Sequence, residues 1–269
     1  MHPENYPRRI ACLCTETVEV LYALGQQDRI VGISGFTVWP PEARKEKPKI
    51  SGFSTGDVEK ILAVQPDLVL AFSNLQADLV RDCIRAGLEV HVFNQRDLAG
   101  IFQMIATLGR LTATVARADV LIRELQHQLD TVRAQTADWP RRPKVYFEEW
   151  NDPLLTGVHW VSQLIEIAGG IDVFADISRQ HDARQRVIHS EQVLQAQPDI
   201  MLASWCGKKF NPQQVVQRPG WAGLPALRDG LMFEIKSADL LAPGISPITR
   251  GLPRIVECFR QWQEQANEQ

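Results

Sequence analysis

The stretch Ser204-Trp205-Cys206-Gly207-Lys208-Lys209-Phe210 gathers two aromatic rings, a thiol and two ammonium groups around one glycine. Two lysines beside a tryptophan can hold an anionic group and a ring face together. The alternative is a solvated loop with a core tryptophan. A second concentration is Glu148-Glu149-Trp150, at the end of a predicted strand. A carboxylate there could meet Lys208, Arg96 or a metal, or both acids could be solvated strand ends. His159-Trp160 follows, and the first half of the chain offers Thr15, Glu16, Phe36, Phe53, Phe72-Ser73-Asn74 and Asn94-Gln95-Arg96. Aromatic surface with a few convergent polar groups suits a flat, amphipathic ligand. Metal ligation needs several converging donors. His159, His181 and His189 lack HxH or HExxH spacing, so the sequence leaves open whether a metal is bound, with a lone His159 ligand to a metal chelate as one option.

These residues are placed by alternating apolar segments. Strands are predicted at Arg9 to Cys14, Ile30 to Ile33, Asp67 to Phe72 and Val90 to Phe93, separated by helices at about 15–24, 57–64 and 75–86. The stretch from Trp39-Pro40-Pro41 to Lys49 reads as a loop. Strands alternating with helices imply a mainly parallel sheet, because parallel neighbours need crossover connections. From Leu98 to Asp138 proline is absent and Leu108, Leu111, Val115, Ala118, Leu121, Ile122, Leu125, Leu129 and Val132 keep helical spacing. The reading is one helix of roughly 50–60 Å. After Trp139-Pro140-Arg141-Arg142-Pro143 the alternation resumes, with strands at Lys144 to Glu148, Asp199 to Ser204 and Leu231 to Ile235. Helices follow at about 158–168, 191–196 and 248–265. The expected organisation is an N-terminal α/β lobe (1–97), a linking helix (98–139) and a C-terminal α/β lobe (140–269). The expected fold class is α/β, with two similar lobes of mainly parallel sheets flanked by helices, one long joining α-helix, and a ligand cleft between lobes. In such sheets ligands bind at loops after strand C-termini. Trp150 and Trp205 are accordingly expected to face Phe36 and Phe53 across the cleft, with Lys208 or Lys209 at its rim.

An internal repeat supports two related lobes. Val58-Glu59-Lys60-Ile61-Leu62-Ala63-Val64-Gln65-Pro66-Asp67-Leu68-Val69-Leu70-Ala71 aligns without gaps to Ser190-Glu191-Gln192-Val193-Leu194-Gln195-Ala196-Gln197-Pro198-Asp199-Ile200-Met201-Leu202-Ala203. Each copy reads as a helix stopped by proline, then a strand opened by aspartate and buried on both faces. Glu59 and Glu191 fall at equivalent points near the start of each helix, where an acid also favours the helix dipole.

This arrangement resembles the helix-backbone class of ABC-transporter substrate-binding proteins, which includes vitamin B12, haem and ferric-siderophore binders. The resemblance rests on Arg9-Ile10 through Leu24-Gly25, Ile30 through Ser34, Glu59 through Leu70, and Glu166-Ile167-Ala168-Gly169-Gly170. Ser34-Gly35-Phe36-Thr37-Val38-Trp39-Pro40-Pro41 is similar to the aromatic segment of the cobalamin-binding branch. The resemblance places Phe53 where that branch has a pocket tryptophan, Trp150 near a pocket phenylalanine and Asp239 near a pocket aspartate. It implies a cobalamin-like corrinoid or other metal chelate as ligand, with no cofactor required and no catalysis. It also implies an ABC permease docked through Glu59 and Glu191.

Two other readings remain. The cleft residues Cys206, Lys208, Glu148 and His159 are types used in nucleophilic or acid–base catalysis. GxSxG, P-loop and GxGxxG motifs are absent. Alternatively the fold serves a cytoplasmic carrier or sensor with no permease. The net charge of -3, with 29 basic and 32 acidic residues, shows no basic stripe, so nucleic acid is not an expected partner. No apolar run reaches the ~20 residues of a membrane span. The N-terminal segment lacks the ~7–15 apolar residues of a secretory signal. The five cysteines are odd in number and irregularly spaced. Cys12 and Cys14 are read as small apolar strand residues or as a pair facing one site. A cytoplasmic location is the expectation, or a periplasmic one if a signal was removed.

Overall fold

The computed structural model describes residues 5–268, so the first four residues of the expected N-terminal lobe lie outside it. The chain forms two compact units that divide between Glu124 and Leu125. Unit 1 holds β1 (Ile10–Cys12), β2 (Ile30–Ser34), β3 (Lys49–Ser51), β4 (Leu68–Phe72) and β5 (Val90–Phe93). All pair in parallel, in the order β3-β2-β1-β4-β5. The central strands β1 and β4 are buried on both faces, which is why IAC and LVLAF read as continuous apolar runs. The expected loop between Trp39 and Lys49 instead contains a helix, Pro41–Glu46, and leads into β3. Pro41 opens that helix with its φ already set. A six-residue helix with one buried side chain, Ala43, leaves no periodicity to read.

Unit 2 holds β6 (Lys144–Asn151), β7 (Leu154–Thr156), β8 (Ile171–Asp172), β9 (Ile200–Ala203) and β10 (Met232–Glu234). The order is β10-β9-β6-β7, and β8 pairs with the start of β6. Only the β6–β7 hairpin is antiparallel among these described pairs.

The repeat has the same geometry in both units. Gln65 and Gln197 both adopt left-handed backbone, with φ of 46° and 48°. The aspartates then pin the entry of the neighbouring strand. Asp67 accepts from the backbone N–H groups of Arg8 and Arg9 at 2.7 and 2.9 Å, and its own N–H donates to Arg9 O. Asp199 accepts from Lys144 N at 2.8 Å, and its N–H donates to Lys144 O. Thus β4 joins β1 as β9 joins β6.

The long segment is two helices, Leu98–Leu111 and Val115–Thr136, not one. Ala113 turns the chain at φ 59°, and Thr112 Oγ1 donates back to Leu108 O. Gly109 permits the close return: a Cβ there would sit 2.5 Å from Ala118 Cβ. The joining helix is therefore the 22 residues Val115–Thr136, about 33 Å at 1.5 Å per residue. The apolar spacing ran on because both helices bury the same kind of face. Two α/β units of mainly parallel sheets flanked by helices, joined by this helix, are as expected.

Candidate functional site

In unit 1 the ends of β2, β3 and β4 are stitched by polar side chains. Ser34 Oγ donates to Gly52 O at 2.9 Å, and Gly35 N–H donates to Ser51 O. Arg44 donates to Gly35 O and Thr37 O, fixing the loop after β2. Buried Gln76 joins three segments: its amide donates to Leu13 O and Phe53 O, and its oxygen accepts from Phe72 N–H. This framework holds Phe36 and Phe53 in edge-to-face contact, centroids 6.1 Å apart. Both stay open to solvent, at 53% and 45%. Trp39 is half-buried beside them in sequence. Ser73, Asn74 and Arg96 do come together. Arg96 donates to Asn74 Oδ1 at 3.1 Å and lies over the Phe72 ring, while buried Ser73 accepts from Leu75 N–H. Ser73 and Asn74 also line a groove of about 640 Å³ with Val80, Ile84 and Val92 along the β5 edge.

In unit 2 the two glutamates part company. Glu148 is fully buried on the face of β6 that carries Tyr146. It accepts from Tyr146 Oη (2.8 Å), Trp205 Nε1 (2.9 Å) and both terminal nitrogens of Arg218 (2.6 and 2.9 Å). Burial, with Glu148 beside it, pushes the Tyr146 hydroxyl well up, so it remains a donor. Glu149 pairs with buried Arg186 at 2.7 Å. Within the unit the acids are met by these arginines rather than by Lys208. A buried carboxylate needs a close, bidentate cation, which Arg218 supplies.

The register with β7 shifts between Glu148 and Trp150, a bulge that re-aims the end of β6. Trp150 emerges half-buried, its indole N–H on Asp152 O. Lys208 lies near it, with Nζ 5.4 Å from the Trp150 centroid, 5.1 Å from Trp205 and 3.1 Å from Asn151 Oδ1. Trp205 is only 2% exposed and packs edge-on against Phe210. Trp160 is equally enclosed, its indole bound to Leu240 O. These two rings and Glu148 fill the interior of the unit in this structure and position the surface rather than form it. His159 contacts Ser178 Oγ through Nδ1, and Asp239 lies half-buried in the short helix Ser237–Leu240. Cys206 and Lys209 are exposed beside Lys208. Packing first, and Glu149 second, raise the Cys206 thiol above its ordinary value. A nucleophilic cysteine needs the opposite shift. Among the described residues no group of three His, Cys, Asp or Glu is placed to hold a metal.

Sequence reasoning missed Gln76, Arg186, Arg218 and Asn151. Arginine and glutamine carry no periodic or motif signal, and only the fold reveals which carbonyls and carboxylates they reach. Glu59 and Glu191 are both exposed in the first turns of the equivalent helices Val58–Ala63 and Ser190–Ala196.

Residues 10–238 match the family model described as Periplasmic binding protein. The vitamin B12-binding protein of Vibrio cholerae serotype O1 is 27% identical over 201 residues, 73% of this chain and 70% of that protein. The periplasmic heme-binding protein RhuT from Roseiflexus sp. RS-1, in apo form, superposes with a TM-score of 0.78 at 23% identity, covering 96% of this chain and 98% of that one. The periplasmic vitamin B12 binding protein BtuF of Vibrio cholerae gives 0.75 at 21% identity, covering 96% and 98%. The structural likenesses establish the fold of class III substrate-binding proteins. With a family model spanning most of its length, the chain belongs to the periplasmic binding protein family, whose members bind solutes without catalysing a reaction.

Proposed function

We propose that this protein binds a flat metal chelate, a corrinoid or a porphyrin, on the strand-end rims of its units, and delivers it to a membrane transporter. The observation that carries this reading is the exposed Phe36–Phe53 pair, held at the ends of β2 and β3 by part-buried hydrogen bonds from Ser34 and Gln76. Large rings kept in solvent by a rigid frame are stacking surface. Trp150 with Lys208 is the corresponding feature of unit 2. Similarity to a vitamin B12-binding protein supports a corrinoid, and the heme-binding fold neighbour keeps porphyrins in view. In this reading the metal arrives as part of the ligand, as in a cobalamin-like corrinoid. Glu59 and Glu191, exposed at equivalent points, suit docking to basic residues of a permease. The test is titration of wild type and of Phe36→Ala/Phe53→Ala with cyanocobalamin and hemin. The reading expects saturable binding weakened at least tenfold by the double substitution, with an unchanged thermal melt. Equal affinity in both proteins refutes the role of the pair.

The fold is of the extracytoplasmic binding-protein type. A cytoplasmic location for this chain is a separate proposal, supported by five unpaired cysteines, four of them buried. Recovery of the protein in a periplasmic extract refutes it. Among the described residues no helix is long and apolar enough to cross a membrane.

A further inference from the structure

The charges around the end of β6 are unequally satisfied. Glu148 and Glu149 are each neutralised by a dedicated arginine, Arg218 and Arg186. Lys208 is left with its ammonium over two indole faces and on a neutral amide, and no carboxylate of the described residues lies within ion-pair distance of it. Cation–π contacts and one amide oxygen leave the positive charge uncompensated. The loop that carries it is exposed and turns at Gly207, φ 69°, with no heavy atom within 4 Å of where a Cβ would sit. Trp205 beneath is locked by Glu148 and Phe210, so the lysine rests on a rigid floor.

We propose that Lys208 is the specificity residue for an anionic group on the ligand, pairing with a carboxylate or phosphate of a macrocycle that stacks on Trp150. The ammonium lies over the Trp150 ring. A stacked ring displaces it, and the ligand's anion receives it, so an uncharged analogue loses the ion pair and still has to move the lysine. This rests on the chelate-binding reading above and adds the charge requirement to it.

Four ligands separate the sources of the anion: hemin and its dimethyl ester for carboxylate, cyanocobalamin and cobinamide for phosphate. Each is titrated into wild type, Lys208→Met, which keeps the stem over the indoles, and Lys208→Arg, which restores the charge. The expected result is about a tenfold preference of wild type for the anionic member of one pair, the size of one charge-assisted contact. Lys208→Met abolishes that preference, Lys208→Arg keeps it, and added salt reduces it. Binding of both members of each pair with equal affinity to wild type, or a preference that persists in Lys208→Met, overturns the assignment and leaves the chelate reading standing. Failure of all four to bind wild type overturns both.

Discussion

Glu16 makes the stability of this fold depend on pH in a direction opposite to that of an ordinary surface acid. It lies in the first turn of the helix Thr15–Ala23 and is 3% exposed. Its carboxyl is favoured in the charged form by its own backbone N–H, by Cys14 and by a long contact from Thr15 Oγ1 to Oε2 at 3.4 Å, while Oε1 has no hydrogen-bond partner among the described residues. The helix dipole favours a carboxylate there. Burial outweighs it and pushes the carboxyl from 4.5 up to about 7. That shift of about 2.5 units corresponds to roughly 3 kcal/mol. The folded state thus holds a proton that the unfolded chain has released between pH 4.5 and 7. Stability falls as pH rises through that window, and the full cost is present above it. Glu16→Gln removes the titration at nearly constant shape. Urea unfolding at pH 4 and pH 8.5 gives the assay, with the two proteins compared at each pH so that other titrations cancel. The variant should match wild type at pH 4 and exceed it by roughly 3 kcal/mol at pH 8.5. A stability difference that does not change with pH, or a wild type that gains relative stability at high pH, refutes the argument.

Trp205→Ala should destabilise by about 3–5 kcal/mol in chemical unfolding, because it removes an enclosed ring and leaves Glu148 short of a donor. A loss under 1 kcal/mol would mean that the indole is a surface group after all. Gly109→Ala gains about 1 kcal/mol of helix propensity but forces two backbone-borne Cβ atoms together. A lower melting temperature is expected, and an unchanged one would show that the two helices separate freely. Asp67→Ala and Asp199→Ala should each cost about 1–2 kcal/mol, and their effects should add, since they pin different strands with no shared partner. Strongly non-additive losses, read from the double variant, would deny that the two aspartates act independently.

Much of the fold was legible because its strongest signals are local. Gln-Pro-Asp before an apolar run reads as a helix stop and a buried strand, and both copies are that, down to the same left-handed glutamine. Short elements escaped. The helix Pro41–Glu46 buries one residue, and β7 has three residues, so neither leaves a pattern. The break at Ala113 was hidden because helical spacing continues across it. The candidate site was legible as a set of loops. Phe36, Phe53, Trp150 and Lys208 are surface features where strand ends were expected, whereas Trp160, Trp205 and Glu148 turned inward. Which strand-end side chain faces solvent depends on one bulge in β6 and on arginines far away in sequence, and neither is visible in a local pattern.

The most direct test of the account is saturation binding of the purified, unliganded chain, followed by the absorbance of cyanocobalamin and of hemin during equilibrium dialysis. Saturable binding of one of them at a 1:1 ratio, with a dissociation constant around or below the micromolar range, is the expected result. Partition of both ligands at the level of a non-binding control protein, by a chain that melts cooperatively, would contradict it.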